Sequence, residues 1–271
     1  MRILLTGSDG LIGKEICKRL SLHNEVIEID KDNGFYVETL NTEEWVSESI
    51  EHPIDIIIHC ASSGNIRDSM LDIGEAWRNI DSTFSIFEFA RKINCKKIIY
   101  LSSNKILHSN NNVFVSTKRF GEDLAKSYKE CHDIDYIIIR PETVWSIDDT
   151  NHSRAITHWI SSAKKNSHMI IFGNKDKELA PIHVIDFVDC FLLIFKKFNE
   201  NLISNKTYSI SGKPIKAERI VELIKMYTNS TSKIMYMDEE ISQPQLCGAS
   251  NLICDNFIYR LRKEINNEVK K

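Results

Sequence analysis

The chain has 271 residues, of which 42% are hydrophobic and 27% charged, enough apolar material to bury the core of one α/β domain with a smaller appended lobe. A net charge of −3 and a pI near 6.3 exclude a general attraction to nucleic acid or to anionic membrane. The seven cysteines, Cys17, Cys60, Cys95, Cys131, Cys190, Cys247 and Cys254, are scattered and include no C-x-x-C pair; they read as reduced, mostly buried thiols, not as metal ligands or a disulfide framework.

In chain order, an apolar strand from Ile3 to Thr6 runs into Gly7, Gly10 and Gly13, and then into a helix with Leu11, Ile12, Ile16, Cys17 and Leu20 at helical spacing. The junction suits a pyrophosphate. Missing Cβ atoms at Gly7 and Gly10 let backbone N–H groups approach phosphate oxygens, and at Gly13 let helix pack on sheet. A tight βα turn without a ligand has the same spacing, so the context decides. A second strand, Val26 to Ile29, ends in Asp30, near the distance where an acidic residue meets an adenosine ribose; an ordinary strand-end turn residue is the alternative.

A helix from Glu43 to Ile50, a buried strand from Ile54 to His59 and a long helix from Ile73 to Ile93 follow. Next come a strand from Lys97 to Leu101, a helix from Phe114 to Cys131 and a strand from Tyr136 to Arg140. Strands that read as continuous apolar runs are covered on both faces, which predicts a doubly wound parallel sheet with crossover helices. Ligands of such sheets sit at the carboxyl ends of the strands. Those ends are Gly7 to Gly13, Asp30, His59 to Ser63, Ser102-Ser103, and Arg140 to Trp145. Loops are expected at Ser62 to Asp68 and His108 to Val113.

The later elements are a helix from Ser153 to Lys165, a strand from Met169 to Phe172, a helix after Val184, a strand from Thr207 to Ile210 and a helix from Lys216 to Tyr227. The expected division is a dinucleotide-binding domain over 1–145, with parts of 181–212 returning to it, and a smaller α/β lobe from 146–180 and 213–271. The mixed-charge tail from Arg260 to Lys271 reads as a solvated helix end. A strand beginning at residue 2 leaves no room for a signal peptide, and the apolar run from Asp186 to Phe198 is too short to span a bilayer, so a soluble cytoplasmic protein is expected. The nine histidines include no H-x-x-x-H or H-E-x-x-H pairing, and no catalytic metal is expected. Ser102 and Ser103 lack a G-x-S-x-G elbow, which argues against a hydrolase.

Together these residues resemble an extended short-chain dehydrogenase/reductase, the Rossmann-type family of nucleotide-sugar epimerases, dehydratases and 4-keto reductases. The likeness rests on Thr6 to Gly13, His59-Cys60-Ala61-Ser62, Asn79 with Thr83, Ser102-Ser103, Lys118 with Gly121-Glu122, Arg140-Pro141 with Val144-Trp145, and Val184-x-Asp186. The resemblance implies cofactor contacts from Gly7, Ser8, Asp9, Gly10, Leu11, Ile12, Gly13, Asp30, Cys60, Ala61, Ser62, Lys118, Pro141 and Val144. It implies substrate contacts from Asn104, Thr143 and Lys175. A carboxylate at Asp30 accepts both ribose hydroxyls and repels a 2′-phosphate, so NAD is favoured over NADP. The resemblance also implies a nucleotide-sugar substrate and a homodimer through the helices Ile73 to Ile93 and Phe114 to Cys131.

In this family a tyrosine four residues before the lysine moves a proton while hydride passes to or from nicotinamide. Residues i and i+4 share a helix face, so Lys118 sits beside position 114 and can lower a phenol's pKa there, while Ser103 holds the substrate oxygen. Position 114 is phenylalanine. Three readings follow: a tyrosine-to-phenylalanine change made to trap a substrate complex, a non-catalytic NAD(P)-binding regulatory subunit of a partner enzyme, or an active enzyme in which water or another side chain moves the proton. Where many relatives carry an arginine that clamps the nucleotide diphosphate, this chain has Leu179, with Lys175 or Lys177 as point-charge substitutes. Asn104-Lys105 stands where 4,6-dehydratases place an acidic pair, which leaves a 4-keto reductase or an epimerase.

Overall fold

The computed structural model describes residues 1–62, 66–107, 112–149, 154–238 and 250–268. The chain runs β1 (Arg2–Thr6), α1 (Leu11–Leu20), β2 (Glu25–Ile29), α2 (Glu43–Glu51), β3 (Ile56–His59), α3 (Ile66–Leu71), α4 (Ile73–Lys92), β4 (Lys97–Leu101), α5 (Val113–His132) and β5 (Asp135–Pro141). It continues through β6 (Val144–Trp145), α6 (Ala155–Lys164), β7 (Met169–Phe172), β8 (Glu178–Leu179), β9 (Ile182–His183), α7 (Val184–Asn199) and β10 (Lys206–Gly212). The last elements are β11 (Ile215–Lys216), α8 (Ala217–Thr228), β12 (Ile234–Met237), β13 (Leu252–Cys254) and α9 (Phe257–Glu268).

The apolar runs form a seven-stranded sheet in the order β13-β10-β5-β4-β3-β1-β2, parallel at every pairing. Alternate residues of each strand serve opposite faces. Ile3, Leu5, Ile58, Ile99 and Ile139 pack with Ile16 and Leu20 of α1 and Phe187 and Phe191 of α7. Leu4, Ile57, Ile98, Tyr100 and Ile138 pack with Phe87 and Phe89 of α4 and Ala125 and Tyr128 of α5. The strand order reverses at β1, whose neighbours are β2 and β3, and such a reversal opens a crevice at the carboxyl ends.

A third core joins Trp145, Ile156 and Trp159 to Ile220 and Ile224 of α8 and to Phe257, Leu261 and Ile265 of α9. Three expectations are corrected here. The tail from Arg260 is not simply a solvated helix end, because α9 buries the i, i+4, i+8 row Phe257, Leu261 and Ile265. Residues 252–254, expected in the smaller lobe, pair with β10 as the edge strand of the main sheet. The loop expected from Ser62 to Asp68 gives way to α3 from Ile66. Of the loop expected from His108 to Val113, residues 108–111 lie outside the described residues, and α5 starts at Val113. No helix among the described residues is long and apolar enough to cross a membrane.

If α9 is docked through this core, Leu261→Ala removes a fully buried side chain and lowers unfolding stability by roughly 2 to 5 kcal/mol in urea titrations. A loss below about 0.5 kcal/mol, typical of a surface position, would contradict the docking.

Candidate active site

The glycine turn is tighter than phosphate access alone requires. Gly7 has φ +73, and a Cβ there would lie 2.6 Å from the Ala61 nitrogen; a Cβ on Gly13 would lie 1.9 Å from the Gly7 carbonyl oxygen. Gly7 therefore lets β1 leave the sheet beside the end of β3, and Gly13 clears the turn's own backbone instead of a helix-on-sheet contact. Helix α1 opens at Gly10 with no side-chain cap and no acidic residue in its first turn, so its free N–H groups and positive end suit an anion. The Ser8 hydroxyl is buried with no hydrogen-bond partner among the described residues.

Asp30 is half-buried at the end of β2. Its Oδ2 accepts from the Asp9 N–H at 2.9 Å and its Oδ1 from the Asp32 N–H at 3.1 Å. The carboxylate thus ties the end of β2 to the glycine turn. These residues fit a dinucleotide: a backbone cradle for the pyrophosphate, an uncapped helix end behind it and a fixed carboxylate one strand away.

At the end of β3, His59 is fully buried, with Nδ1 2.7 Å from Thr6 Oγ1 and Nε2 3.4 Å from Thr83 Oγ1. Burial, aided by the Lys118 charge, pushes its pKa down to about 3, so it is a neutral brace under the site. Thr6 Oγ1 also accepts from the Ala61 N–H at 3.2 Å. Burial pushes the Cys60 thiol up to about 12, which keeps it protonated and inert. Exposed Ser62 donates to Asn79 Oδ1 at 3.3 Å.

The candidate reacting end forms where α5 crosses the end of β4. Lys118 is 5% exposed and donates to the Leu101 carbonyl at 3.1 Å. Its Nζ lies 5.9 Å from the centroid of the half-buried Phe114 ring and 5.5 Å from that of Tyr100. Burial pushes its pKa down to about 8. Ser103, one residue beyond Ser102, is 8% exposed, and its Oγ accepts from the Lys105 N–H. The structure thus gathers Ser103, Phe114 and Lys118 at one strand end. Tyr100 does not take over from position 114, because its phenol is sealed under α5, where a Cβ on Gly121 would lie 2.3 Å from its oxygen. Tyr128, further along α5, hydrogen-bonds Glu88.

One turn beyond Lys118, the Glu122 carboxylate is 3% exposed. Arg140 grips it with two donors, Nε to Oε1 at 2.8 Å and Nη2 to Oε2 at 2.6 Å, and Ser102 donates to Oε1 at 2.5 Å. Glu142, inside the expected strand-end stretch but given no role there, stands just past β5. Glu142 Oε2 accepts from Asn104 Nδ2 at 2.8 Å, and Asn104, fully buried, also donates to Ser250 Oγ at 3.3 Å. Its signal was a carboxylate directly after Arg140-Pro141 at a strand's carboxyl end.

Pro141 and Thr143 are half-buried and Val144 buried beside them; the Thr143 carbonyl accepts from the Ile182 N–H at 3.0 Å. Lys175 is exposed between β7 and β8 in the smaller lobe. Lys177 donates to the Phe172 carbonyl at 2.7 Å, and Leu179 packs against the third core. Asp186, at the start of α7, is 6% exposed and held by Arg260 of α9 through Nε at 3.1 Å to both of its oxygens. Among the described residues, no group of three or more His, Cys, Asp or Glu side chains is gathered to hold a metal ion.

The sheet reversal and the glycine turn define a dinucleotide-binding protein of the doubly wound class. The chain belongs to the NAD dependent epimerase/dehydratase family, whose model matches residues 3–211. An uncharacterized protein of Methanocaldococcus jannaschii is 27% identical over 283 aligned positions, covering 87% of this chain and 83% of that protein. A putative UDP-glucose 4-epimerase of the same organism is 25% identical over 240 positions, covering 77% and 79%. Among solved structures, UDP-glucose 4-epimerase of Thermotoga maritima, determined with UDP-glucose, superposes with a TM-score of 0.86 at 17% identity, covering 100% of this chain and 99% of that one. UDP-glucuronic acid 4-epimerase from Bacillus cereus, in complex with UDP-glucuronic acid and NAD, gives 0.85 at 18% identity, with the same coverage. The two solved structures share this fold.

The buried lysine carries a pH signature. Lys118 has a folded pKa near 8 against an ordinary lysine value of 10.5, so between these values the unfolded chain binds more protons and stability rises with pH. Below pH 8 the ammonium's burial cost is present in full. The stability difference between the native chain and Lys118→Met, measured by urea titration, should shift in favour of the native chain by up to ~3 kcal/mol from pH 8 to 10.5. A difference that stays flat across that window would contradict a buried, depressed lysine.

Proposed function

We propose that the chain binds NAD across the carboxyl ends of β1, β2 and β3 and acts on a nucleotide-linked sugar, as a 4-keto reductase or epimerase whose proton-transfer position is filled by Phe114. The observation that carries this reading is Lys118 beside the ring at 114, next to Ser103, in a chain of an NAD-dependent epimerase/dehydratase family. The relative named as a putative UDP-glucose 4-epimerase and the two superposed epimerases support the substrate class.

Bound NAD supplies a hydride acceptor and donor. Gly7, Ser8, Asp9, Gly10, Leu11, Ile12 and Gly13 hold its pyrophosphate, and Asp30 takes the adenosine ribose hydroxyls and disfavours the 2′-phosphate of NADP. Cys60, Ala61 and Ser62 line the cofactor from β3, and Pro141 and Val144 line it from the end of β5. Lys118 donates to the nicotinamide ribose, Ser103 orients the reacting oxygen of the sugar, and Thr143 and Lys175 contact the rest of the substrate. Phe114 packs as a ring but has no proton to give, so turnover by the chain as it stands is slow.

Phe114, with Leu179 in place of an arginine, favours a second reading: a non-catalytic NAD-binding subunit that stabilises or regulates a partner enzyme. In either case a homodimer through α4 and α5 is supported by Ile73, Trp77 and Phe84, which lie exposed along α4 at 71%, 67% and 47%. Light scattering at micromolar concentration then gives twice the 31.3 kDa chain mass, whereas a monomer would contradict the dimer.

Phe114→Tyr restores the missing phenol. With nucleotide 4-keto sugars and nucleotide hexoses, product mass and isomer chromatography should show turnover about 10²- to 10⁴-fold above the native chain. Silence in both proteins, with NAD still bound, would overturn the enzymatic reading in favour of the regulatory one.

A further inference from the structure

Glu142 occupies a place in the fold that links the reacting end to the smaller lobe. It is the first residue past β5; its N–H donates to the Ile210 carbonyl at 3.0 Å, and its own carbonyl accepts from the Val144 N–H at 2.9 Å. The main chain at Glu142 is therefore locked between β10 and β6. In the sheet order β1-β3-β4-β5-β10, the end of β4 with Ser103 lies between the glycine turn and Glu142. A dinucleotide whose pyrophosphate sits on the β1 turn and whose nicotinamide end meets Ser103 leaves Glu142 on the far side of Ser103 from that turn.

The side chain is oriented as well as placed. Asn104, adjacent to Ser103 in sequence and 0% exposed, donates Nδ2 to Glu142 Oε2 at 2.8 Å and is itself tied to Ser250 at 3.3 Å. The other charged side chain at the end of β5, Arg140, directs Nε and Nη2 to Glu122. A fixed half-buried carboxylate thus stands at the strand ends beside the reacting serine.

Resting on the nucleotide-sugar reading above, we propose that Glu142 is a specificity-determining residue that contacts the sugar. It selects sugars that present hydroxyl or amino donors at this edge and rejects sugars that carry a carboxylate there. Asn104 is the positioning residue that aims it. The physical basis is asymmetric: a carboxylate accepts a hydrogen bond from a hydroxyl or ammonium, whereas a second carboxylate meets like charge beside the half-buried Glu142.

Calorimetric titration of the protein with UDP-glucose and UDP-glucuronic acid, at saturating NAD, tests this. The native chain should bind UDP-glucose roughly 10-fold or more tightly than UDP-glucuronic acid. Glu142→Gln, confirmed folded by its thermal melt, should bring the two affinities to within about 3-fold, chiefly by gaining uronate affinity. Equal affinities in the native chain, or an unchanged ratio in folded Glu142→Gln, would overturn the role of Glu142 and leave the nucleotide-sugar reading intact. Binding of neither sugar, with NAD still bound, would sink both.

Discussion

The buried carboxylate of Glu122 is the contact on which the geometry of the candidate reacting end depends. Arg140 holds it from β5 and Ser102 from the end of β4, while α5 carries it. Three elements are therefore pinned at one point. Residues 114, 118 and 122 recur at i, i+4 and i+8 on one helix face, so fixing Glu122 fixes where the ring at 114 and the ammonium at 118 meet the end of β4. A buried ion pair of this kind contributes little net stability over an apolar replacement, yet losing one partner strands a charge at a cost of about 3 to 5 kcal/mol. Its value here is positional: it sets the slide and rotation of α5 against the sheet.

The opposite end of the crevice works by a different physics. Around β1 the backbone itself is the candidate binding surface, and glycine is required because Gly7 and Gly13 leave no room for a Cβ. Asp30 joins that surface to β2 through the Asp9 N–H. Between the two ends, His59 is kept neutral by burial and Cys60 is kept as a thiol. The charge in the middle is therefore that of Lys118, whose pKa near 8 leaves it mostly an ammonium at neutral pH. A phenol beside such a group would be primed to lose its proton, which is why the proposed function turns on the phenylalanine at position 114.

Much of this was legible in the sequence because its signals are local. Continuous isoleucine runs gave β3, β4 and β5 and hence a two-faced parallel sheet; the glycine spacing gave the turn; the four-residue separation of positions 114 and 118 gave their shared face. What escaped depends on distant partners or on segments too short for periodicity. The row Phe257, Leu261 and Ile265 is diluted by charged neighbours, and its anchor, Arg260, finds Asp186 74 residues away. The two-residue pairs β6 with β9 and β8 with β11 carry no repeat to detect. Asn104 reads as a substrate amide from its place after Ser103, yet its amide is directed at Glu142 and Ser250, a contact that only the folded β4 and β5 ends create.

If the carboxyl ends of β1 to β3 form a working NAD site, the native chain binds NAD with phenylalanine at position 114. Calorimetric titration with NAD and NADP, on the native chain and on Gly7→Val, tests it most directly. The expected result is saturable binding with one NAD per chain, weaker binding of NADP because of Asp30, and no binding to folded Gly7→Val. A native chain that is folded and shows no saturable binding of either dinucleotide would contradict it.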